Sequence, residues 1–374
     1  MPYRTIDLCA GIGGIRRGFE MTGRFENVLS SEIDKYACET YRHLYEDDPE
    51  NDITDEKFKA LIDQTPYEIL LAGFPCQTFS RAGLQQGFEN DEKGIIFLHI
   101  VDIIERTRPR AFFLENVDHL TSHNKGETLK EIIEELEDGL NYHIVGVSRA
   151  KDGSLIYKPR DFICNSRFFG VPQNRPRTYL VGFDRVLFPN IDELPLELPK
   201  SSDLVVFNNL VDILDHPVDP KYYLSQGYYD TLITHRERNY REGNRFGFKI
   251  INAPEIETPV ANTLLATGGS GKERNLVIDD LDGIPGTVLE KKRTPLNDEC
   301  VRNLTPTEWG RLQGFIGYAF IEDGEDCFSF PDGITDNQKY KQLGNSVTIP
   351  VIRCLAEYML NCLGQLNDEE PEYI

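Results

Sequence analysis

The sequence predicts an α/β protein, a doubly wound and mostly parallel sheet accompanied by a second, smaller and irregular domain. Three observations carry that expectation. The first half alternates short apolar runs with segments of helical period, the pattern of βαβ units. From about residue 186 that period disappears, and proline, glycine and aromatic residues take over. The chain then closes on a long amphipathic segment, YKQLGNSVTIPVIRCLAEYMLNCL.

Element by element, TIDLC precedes the helical GGIRRGFEMT, ENVLSS precedes DKYACETYRHLY, YEILLAG precedes GIIFLHIVDIIERT, and RAFFLEN precedes TLKEIIEELEDG. Further strands are expected at NYHIVGVSRA and at RTYLVGF, the latter after the turn-rich GVPQNRP. Ligands of such sheets sit at the C-terminal ends of the strands. In the closing segment Val351, Ile352, Leu355, Met359 and Cys362 fall on one helical face, so this helix is expected to dock on the first domain.

The 374 residues, 40% of them hydrophobic, can fill one large core and one small one. No run approaches the roughly 20 apolar residues that span a bilayer, and MPYRTIDLCAG lacks the plan of an export signal. A cytoplasmic protein with no membrane association is expected. The eight cysteines contain no CxxC pair and the seven histidines show no ligand spacing, so neither a disulfide framework nor a metal site is expected. A net charge of −22 opposes binding of polyanions over the whole surface. Residues 221–249, with six Lys or Arg against three acids, are a local exception.

Chemistry enters at the strand ends. IDLCAGIGG, residues 6–14, reads as a strand, a glycine-rich turn and a helix start, where small residues let a ligand approach the backbone. Glu32 ends the next strand, where a carboxylate takes ribose hydroxyls. A dinucleotide and S-adenosylmethionine both fit this pattern. GxGxxG would require glycine at position 16, where the chain has Arg16, which favours a cofactor without a pyrophosphate. Asp52 is a candidate acceptor for an adenine amino group.

The third strand runs into LLAGFPCQTFSRAG, which places Cys76 behind Pro75 on a strand-end loop. Neighbouring cations and backbone N–H groups there would lower a thiol's pKa and make it a nucleophile. A cysteine taken singly is more often an inert small hydrophobe. The next strand ends in FFLENV and delivers Glu115 and Asn116 to the same edge, and QNRPR supplies Arg175 and Arg177. Nucleophile, acid and fixed cations would then surround one crevice.

In order along the chain, the blocks IDLCAGIGG, SSEIDKYA, NDIT, GFPCQTFSRAG, LENV, QNRPRTYLVGF, RNLTPTEWGRLQGF and YKQLGNSVTIPVI resemble those of bacterial cytosine-C5 DNA methyltransferases of the type II restriction-modification kind. The resemblance covers nearly the whole chain. It implies an S-adenosylmethionine-dependent methyltransferase sheet over residues 1–188 plus 343–374 and a target-recognition domain over 189–342. It also implies transfer of a methyl group from S-adenosylmethionine to C5 of a cytosine in a specific double-stranded sequence, leaving S-adenosylhomocysteine.

Residue by residue, the resemblance makes Cys76 the nucleophile at C6 and sets Glu115 against N3 and the amino group. Arg175 and Arg177 would hold the O2 edge, Glu115 and a phosphate. Such a cysteine cannot reach a stacked base, so the cytosine must be flipped out. Cofactor contacts fall on Asp7, Cys9, Gly11, Gly13, Gly14, Glu32, Ile33, Asp52, Ile53, Pro75, Asn345 and Ser346. Candidate DNA contacts are Gln77, Ser80, Arg81, Arg236, Arg238, Arg241, Arg245, Lys272 and Arg274. Cys9 departs from the aromatic residue that many relatives carry there, and Ile33 from a larger apolar one.

Two readings compete with this one. The same chemistry could act on transfer RNA, against which stand the long recognition region and the TGGSGKERN loop. A catalytically inactive DNA-binding regulator is opposed by the retained Cys76, Glu115, Arg175 and Arg177. The first motif begins at residue 6, so no extra N-terminal DNA-binding domain is expected. The enzyme is expected to act as a monomer, with any cognate restriction endonuclease forming no stable complex with it.

Overall fold

A computed structural model of the chain describes residues 1–74, 95–194, 196–243, 247–267 and 275–366. The chain forms two compact units. One comprises Met1–Phe169, Pro176–Asp203 and the segment from Val347, and the other Gly170–Arg175 and Leu204–Ser346.

The first unit holds β1 (Tyr3–Leu8), α1 (Gly14–Glu20), β2 (Phe25–Ser31), α2 (Lys35–Tyr45), α3 (Glu56–Gln64), β3 (Ile69–Gly73), α4 (Ile95–Thr107), β4 (Ala111–Val117), α5 (Glu127–Glu134), β5 (Tyr142–Ile144), β6 (Ile163–Asn165) and β7 (Pro176–Asp184). The sheet order is β2-β1-β3-β4-β7-β5, with β6 also on β7. β1, β2, β3 and β4 pair in parallel, and β7 runs antiparallel to β4, β5 and β6. One reversed strand thus sits in an otherwise parallel sheet.

Alternation along the strands builds two cores. Ile6, Leu8, Leu70, Ala72, Phe112, Leu114 and Leu180 face Phe58 and Ile62 of α3, Phe97 to Ile104 of α4, and Leu129 to Ile133 of α5. Ile69, Leu71, Ala111, Phe113, Tyr179, Val181 and Phe183 face Ile15 and Phe19 of α1 and the closing helix, Ile349–Gln365. That helix buries Val351, Ile352, Leu355, Met359 and Cys362, the stripe read from the sequence. Asp7, Glu115 and Arg177 occupy the same alternation as this second core, which sets their side chains on one face of the sheet.

The second unit is built from short pieces: α6 (Gln226–Arg241), β8 (Lys249–Ile250), β9 (Asn275–Ile278), β10 (Val301–Asn303), α7 (Pro306–Gln313) and α8 (Asp336–Asn345), with α9 being the closing helix already described in the first unit. β8, β9 and β10 form a small sheet, and Ala261–Asn262 pairs in parallel with Gln173–Asn174. Its centre is polar. Fully buried Arg302 donates to both Glu308 carboxylate oxygens, at 2.8 and 2.9 Å, and to Asp279 at 2.6 Å.

Candidate active site and cofactor crevice

At the end of β1 the glycine turn is fixed from beneath. Gly13 has φ +75°, and a side chain on it would drive into the Tyr45 ring, 2.4 Å from the nearest ring atom. The Tyr45 hydroxyl donates to the Gly13 carbonyl at 2.7 Å. Arg16 lies over the same ring, 4.3 Å from its centroid, and pairs with Glu20 and Asp47 at 2.9 Å each. The side chain that stands in place of the third glycine of a dinucleotide fingerprint is thus bound outward, away from a phosphate role. At Gly11 a Cβ would meet nothing within 4 Å, so the turn presents bare backbone to open space.

Glu32 ties this turn to β2. Its Oε2 accepts from the Gly11 N–H at 2.8 Å, and Oε1 from Ile33 and Asp34 at 2.8 and 2.7 Å. A carboxylate offers about four lone-pair positions, so three N–H donors leave room for a ribose hydroxyl. Beside it the Ile33 side chain is 74% exposed, an apolar surface standing in the open. Asp52 is exposed and accepts from the Thr54 amide and hydroxyl at 2.8 Å, whereas Ile53 is buried in the core with Ile6 and Leu8. Ile53 can therefore support a pocket wall chiefly through its backbone.

Asp7 is fully buried. Its Oδ2 faces the Arg16 amide at 3.4 Å, and its Oδ1 has no hydrogen-bond partner. Burial pushes its pKa up to about 7. An orphaned acid, a bare glycine backbone and a carboxylate with spare acceptor capacity fit a ligand with an ammonium group and a nucleoside, which S-adenosylmethionine has. The residues present suit that cofactor.

Across the sheet, Glu115 and Gly73 are register partners on β4 and β3. A Cβ on Gly73 would lie 3.6 Å from Glu115 Oε2. Arg177, one position off Glu115's own partner Tyr179 by a pleat, brings its Nε to Glu115 Oε1 at 3.2 Å. Both side chains are about nine-tenths buried, where a charge pair is far stronger than in water. Next to them the Asn116 amide donates to the Phe74 carbonyl at 3.0 Å, securing the last described residue of β3. The sequence brought Asn116 to this edge without assigning it a task; its position beside the acid was the available signal. Tyr45 carried no signal at all.

Cys76 lies outside the described residues, as do Pro75, Gln77, Ser80, Arg81, Arg245, Lys272 and Arg274. The described cysteines provide a contrast. Burial pushes the thiols of Cys9, Cys38 and Cys164 up to about 12, and those of Cys354 and Cys362 up to about 11. Burial also raises Cys300. Each stays a neutral thiol at physiological pH.

In the second unit Arg175 is 2% exposed. Its Nη1 donates to the Leu264 carbonyl at 2.7 Å, and its Nη2 to those of Gly344 and Ser346 at 2.9 and 2.5 Å. Asn345 is exposed and Ser346 half-buried. An open groove of about 800 Å³ is lined by Asn174, Arg236, Tyr240, Lys249, Asn262 and Thr263, among others. The Arg236 guanidinium lies 4.4 Å from the Phe248 ring centroid. Arg238 and Arg241 are exposed on α6.

A parallel α/β sheet with a glycine turn, an acid closing the second strand and a buried acid–guanidinium pair at the fourth defines the class of S-adenosylmethionine-dependent methyltransferases acting at an enclosed centre. Residues 3–361 match the C-5 cytosine-specific DNA methylase family, and the chain belongs to that family. It is 41% identical over 368 residues to Type II methyltransferase M.HpaII of Haemophilus parainfluenzae, covering 98% of this chain and 91% of that protein. With Type II methyltransferase M1.ScrFI of Lactococcus lactis subsp. cremoris the identity is 38%, covering 96% and 79%. Among solved structures, Entamoeba histolytica methyltransferase EhMeth superposes with a TM-score of 0.66 at 20% identity over 97% of this chain and 99% of that one. S. pombe Dnmt2 methyltransferase gives 0.63 at 17%, over 98% and 100%. The chain is a DNA cytosine-C5 methyltransferase of the type II restriction-modification kind.

Proposed function

We propose that the enzyme methylates a flipped-out cytosine of double-stranded DNA through a transient bond between Cys76 and C6. The observation that carries this is the Glu115–Arg177 pair, held at 3.2 Å on the edge where β3 ends three residues before Cys76. Protonated, Glu115 donates to N3, and its other oxygen accepts from the amino group; Arg177 fixes its orientation and stabilises the ionised form. Attack by the Cys76 thiolate at C6 pushes electrons towards C5. The cofactor, when bound, supplies an electrophilic methyl group, for which Asp7, Gly11, Glu32, Ile33 and Asp52 form the cradle, with Asn345 and Ser346 added by resemblance. After C5 has been methylated, a base removes its proton and the C6–sulfur bond breaks, restoring both thiolate and aromatic ring.

Contrast among the cysteines supports this reading, because the buried ones are held as neutral thiols while Cys76 follows directly on the strand that Asn116 secures. Gln77, Ser80 and Arg81 on the same loop, and the cations of the second unit, would meet the duplex. The second unit would serve as target-recognition domain, and the enzyme would work as a cytoplasmic monomer without a stable endonuclease complex.

Expression in a host lacking cytosine methylation, followed by bisulfite mapping, should reveal one methylated sequence. Purified enzyme should form a denaturation-resistant adduct with duplex carrying 5-fluorocytosine, since fluorine cannot leave as a proton. The Cys76→Ala variant should bind S-adenosylhomocysteine yet neither methylate nor form the adduct. Transfer to transfer RNA in preference to duplex DNA, or turnover by the Cys76→Ala variant, would refute the proposal.

A further inference from the structure

We propose that Arg175 is a positioning residue that couples DNA binding to cofactor binding, acting through the Gly344–Ser346 main chain. This rests on the function proposed above and extends it. A buried guanidinium normally meets a carboxylate or phosphate; Arg175 instead clasps three main-chain carbonyls from two distant segments, Leu264 on one side and Gly344 and Ser346 on the other. It acts as a bracket between those segments.

Three further contacts define the bracket. Gly344 packs directly on the 265–266 peptide, where a Cβ would fall 2.5 Å from the Leu265 carbonyl carbon, so the two backbones move together or clash. Buried Gln313 donates to the Leu343 carbonyl at 2.8 Å and, in turn, accepts from Gln173 at 3.1 Å. The Thr263 hydroxyl donates to the Asn174 carbonyl at 2.8 Å. Asn174, Asn262 and Thr263 line the groove that also carries Arg236 and Lys249. Hence one short run, Asn262 to Leu264, has a wall of the groove at one end and the Arg175 bracket at the other.

A duplex seated on the groove displaces or stiffens the 262–264 run. Arg175 passes that constraint to Gly344–Ser346, where the resemblance places two cofactor contacts. Fixing the segment in advance lowers the ordering cost of the second ligand, which produces positive coupling without new ligand contacts. Linkage makes the effect reciprocal.

The test is calorimetric titration of the full chain with S-adenosylhomocysteine, free and saturated with duplex bearing the mapped site. In the wild-type enzyme the duplex should tighten S-adenosylhomocysteine by about tenfold, within the usual range of coupling between sites. Arg175→Lys, which keeps the charge but cannot span three carbonyls, should bind S-adenosylhomocysteine alone within about threefold of wild type while losing most of the coupling. Should that variant fail to fold, Thr263→Val, which cuts the groove-side link at a half-buried site, should lower the coupling in the same direction. Wild-type coupling in Arg175→Lys, with only kcat reduced, would make Arg175 a base-contacting residue and overturn the proposal, as would unchanged coupling in Thr263→Val. A wild-type enzyme that methylates its site with no coupling at all overturns the bracket alone. One that binds S-adenosylhomocysteine but no duplex overturns the function proposed above.

Discussion

Asp7 is placed where a charge is costly. Its carboxyl is buried with Oδ1 unpartnered and its pKa stands at about 7 against an ordinary 3.8. The folded chain therefore keeps a proton that the unfolded chain loses above about pH 4. Stability from this group is intact below that point, declines as pH rises to about 7, and then levels off, with a full difference of roughly 4 kcal/mol. The Asp7→Asn variant carries no such penalty. Urea denaturation should show its stability improving relative to wild type between about pH 5 and 7.5, and a difference independent of pH would remove Asp7 as the titrating group. A ligand ammonium near Oδ1 reverses the balance by favouring the carboxylate. Wild-type affinity for S-adenosylhomocysteine should accordingly rise across about pH 6 to 8, and that rise should vanish in the variant.

Helix α7 shows how elements of the second unit hold together without a large apolar core. Pro306 occupies its first turn, Thr305 caps it by accepting from the Glu308 amide at 3.1 Å, and Glu308 reaches back to the Thr305 amide at 2.7 Å. Glu308 also neutralises Arg302, and both side chains are fully buried. Thr305→Ala loses a cap and the hydroxyl's bond to Asp215, for a cost of about 1–2 kcal/mol. Glu308→Leu leaves Arg302 with Asp279 as its remaining carboxylate and should cost roughly 3–5 kcal/mol. Chemical denaturation should rank the two in that order; equal losses would mean the buried pair adds nothing beyond the cap. The TPTE run made this cap readable, but its ionic partner was not. Arg302 meets Asp279, 23 residues away, and no local pattern encodes that encounter. The same contrast runs through the fold. β1 to β4 and their helices were legible because each carries its period within a few residues. Glu115 and Glu32 were legible because strand ends are fixed by those periods. Helix α6 was read as irregular, since Tyr229 is its one buried residue and no apolar stripe marks it. Helix α3, whose Phe58 and Ile62 are four residues apart, went unread beside the NDIT block. The bonds of Arg175 span 89 to 171 residues, beyond any motif.

Charge is a property of the whole molecule, and at −22 it repels a polyanion at long range. Binding must then come from a few cations close enough to displace counterions. Arg236, Arg238, Arg241 and Lys249 are the described candidates in the basic stretch, because Lys221 is already paired with Asp336 at 2.9 Å. If each meets one phosphate, the logarithm of duplex affinity should fall with the logarithm of salt at a slope of about −3.5 from these four. Replacing Arg236, Arg238 and Arg241 by Gln should flatten the slope by about 2.5 to 3, and should weaken cognate and unrelated duplexes alike, since phosphate contacts carry no sequence. Fluorescence anisotropy at several salt concentrations measures both quantities. A variant with wild-type slope would take α6 off the backbone. Flattening confined to the cognate duplex would instead assign these arginines to base edges, where each bidentate contact to guanine discriminates by about 1–3 kcal/mol.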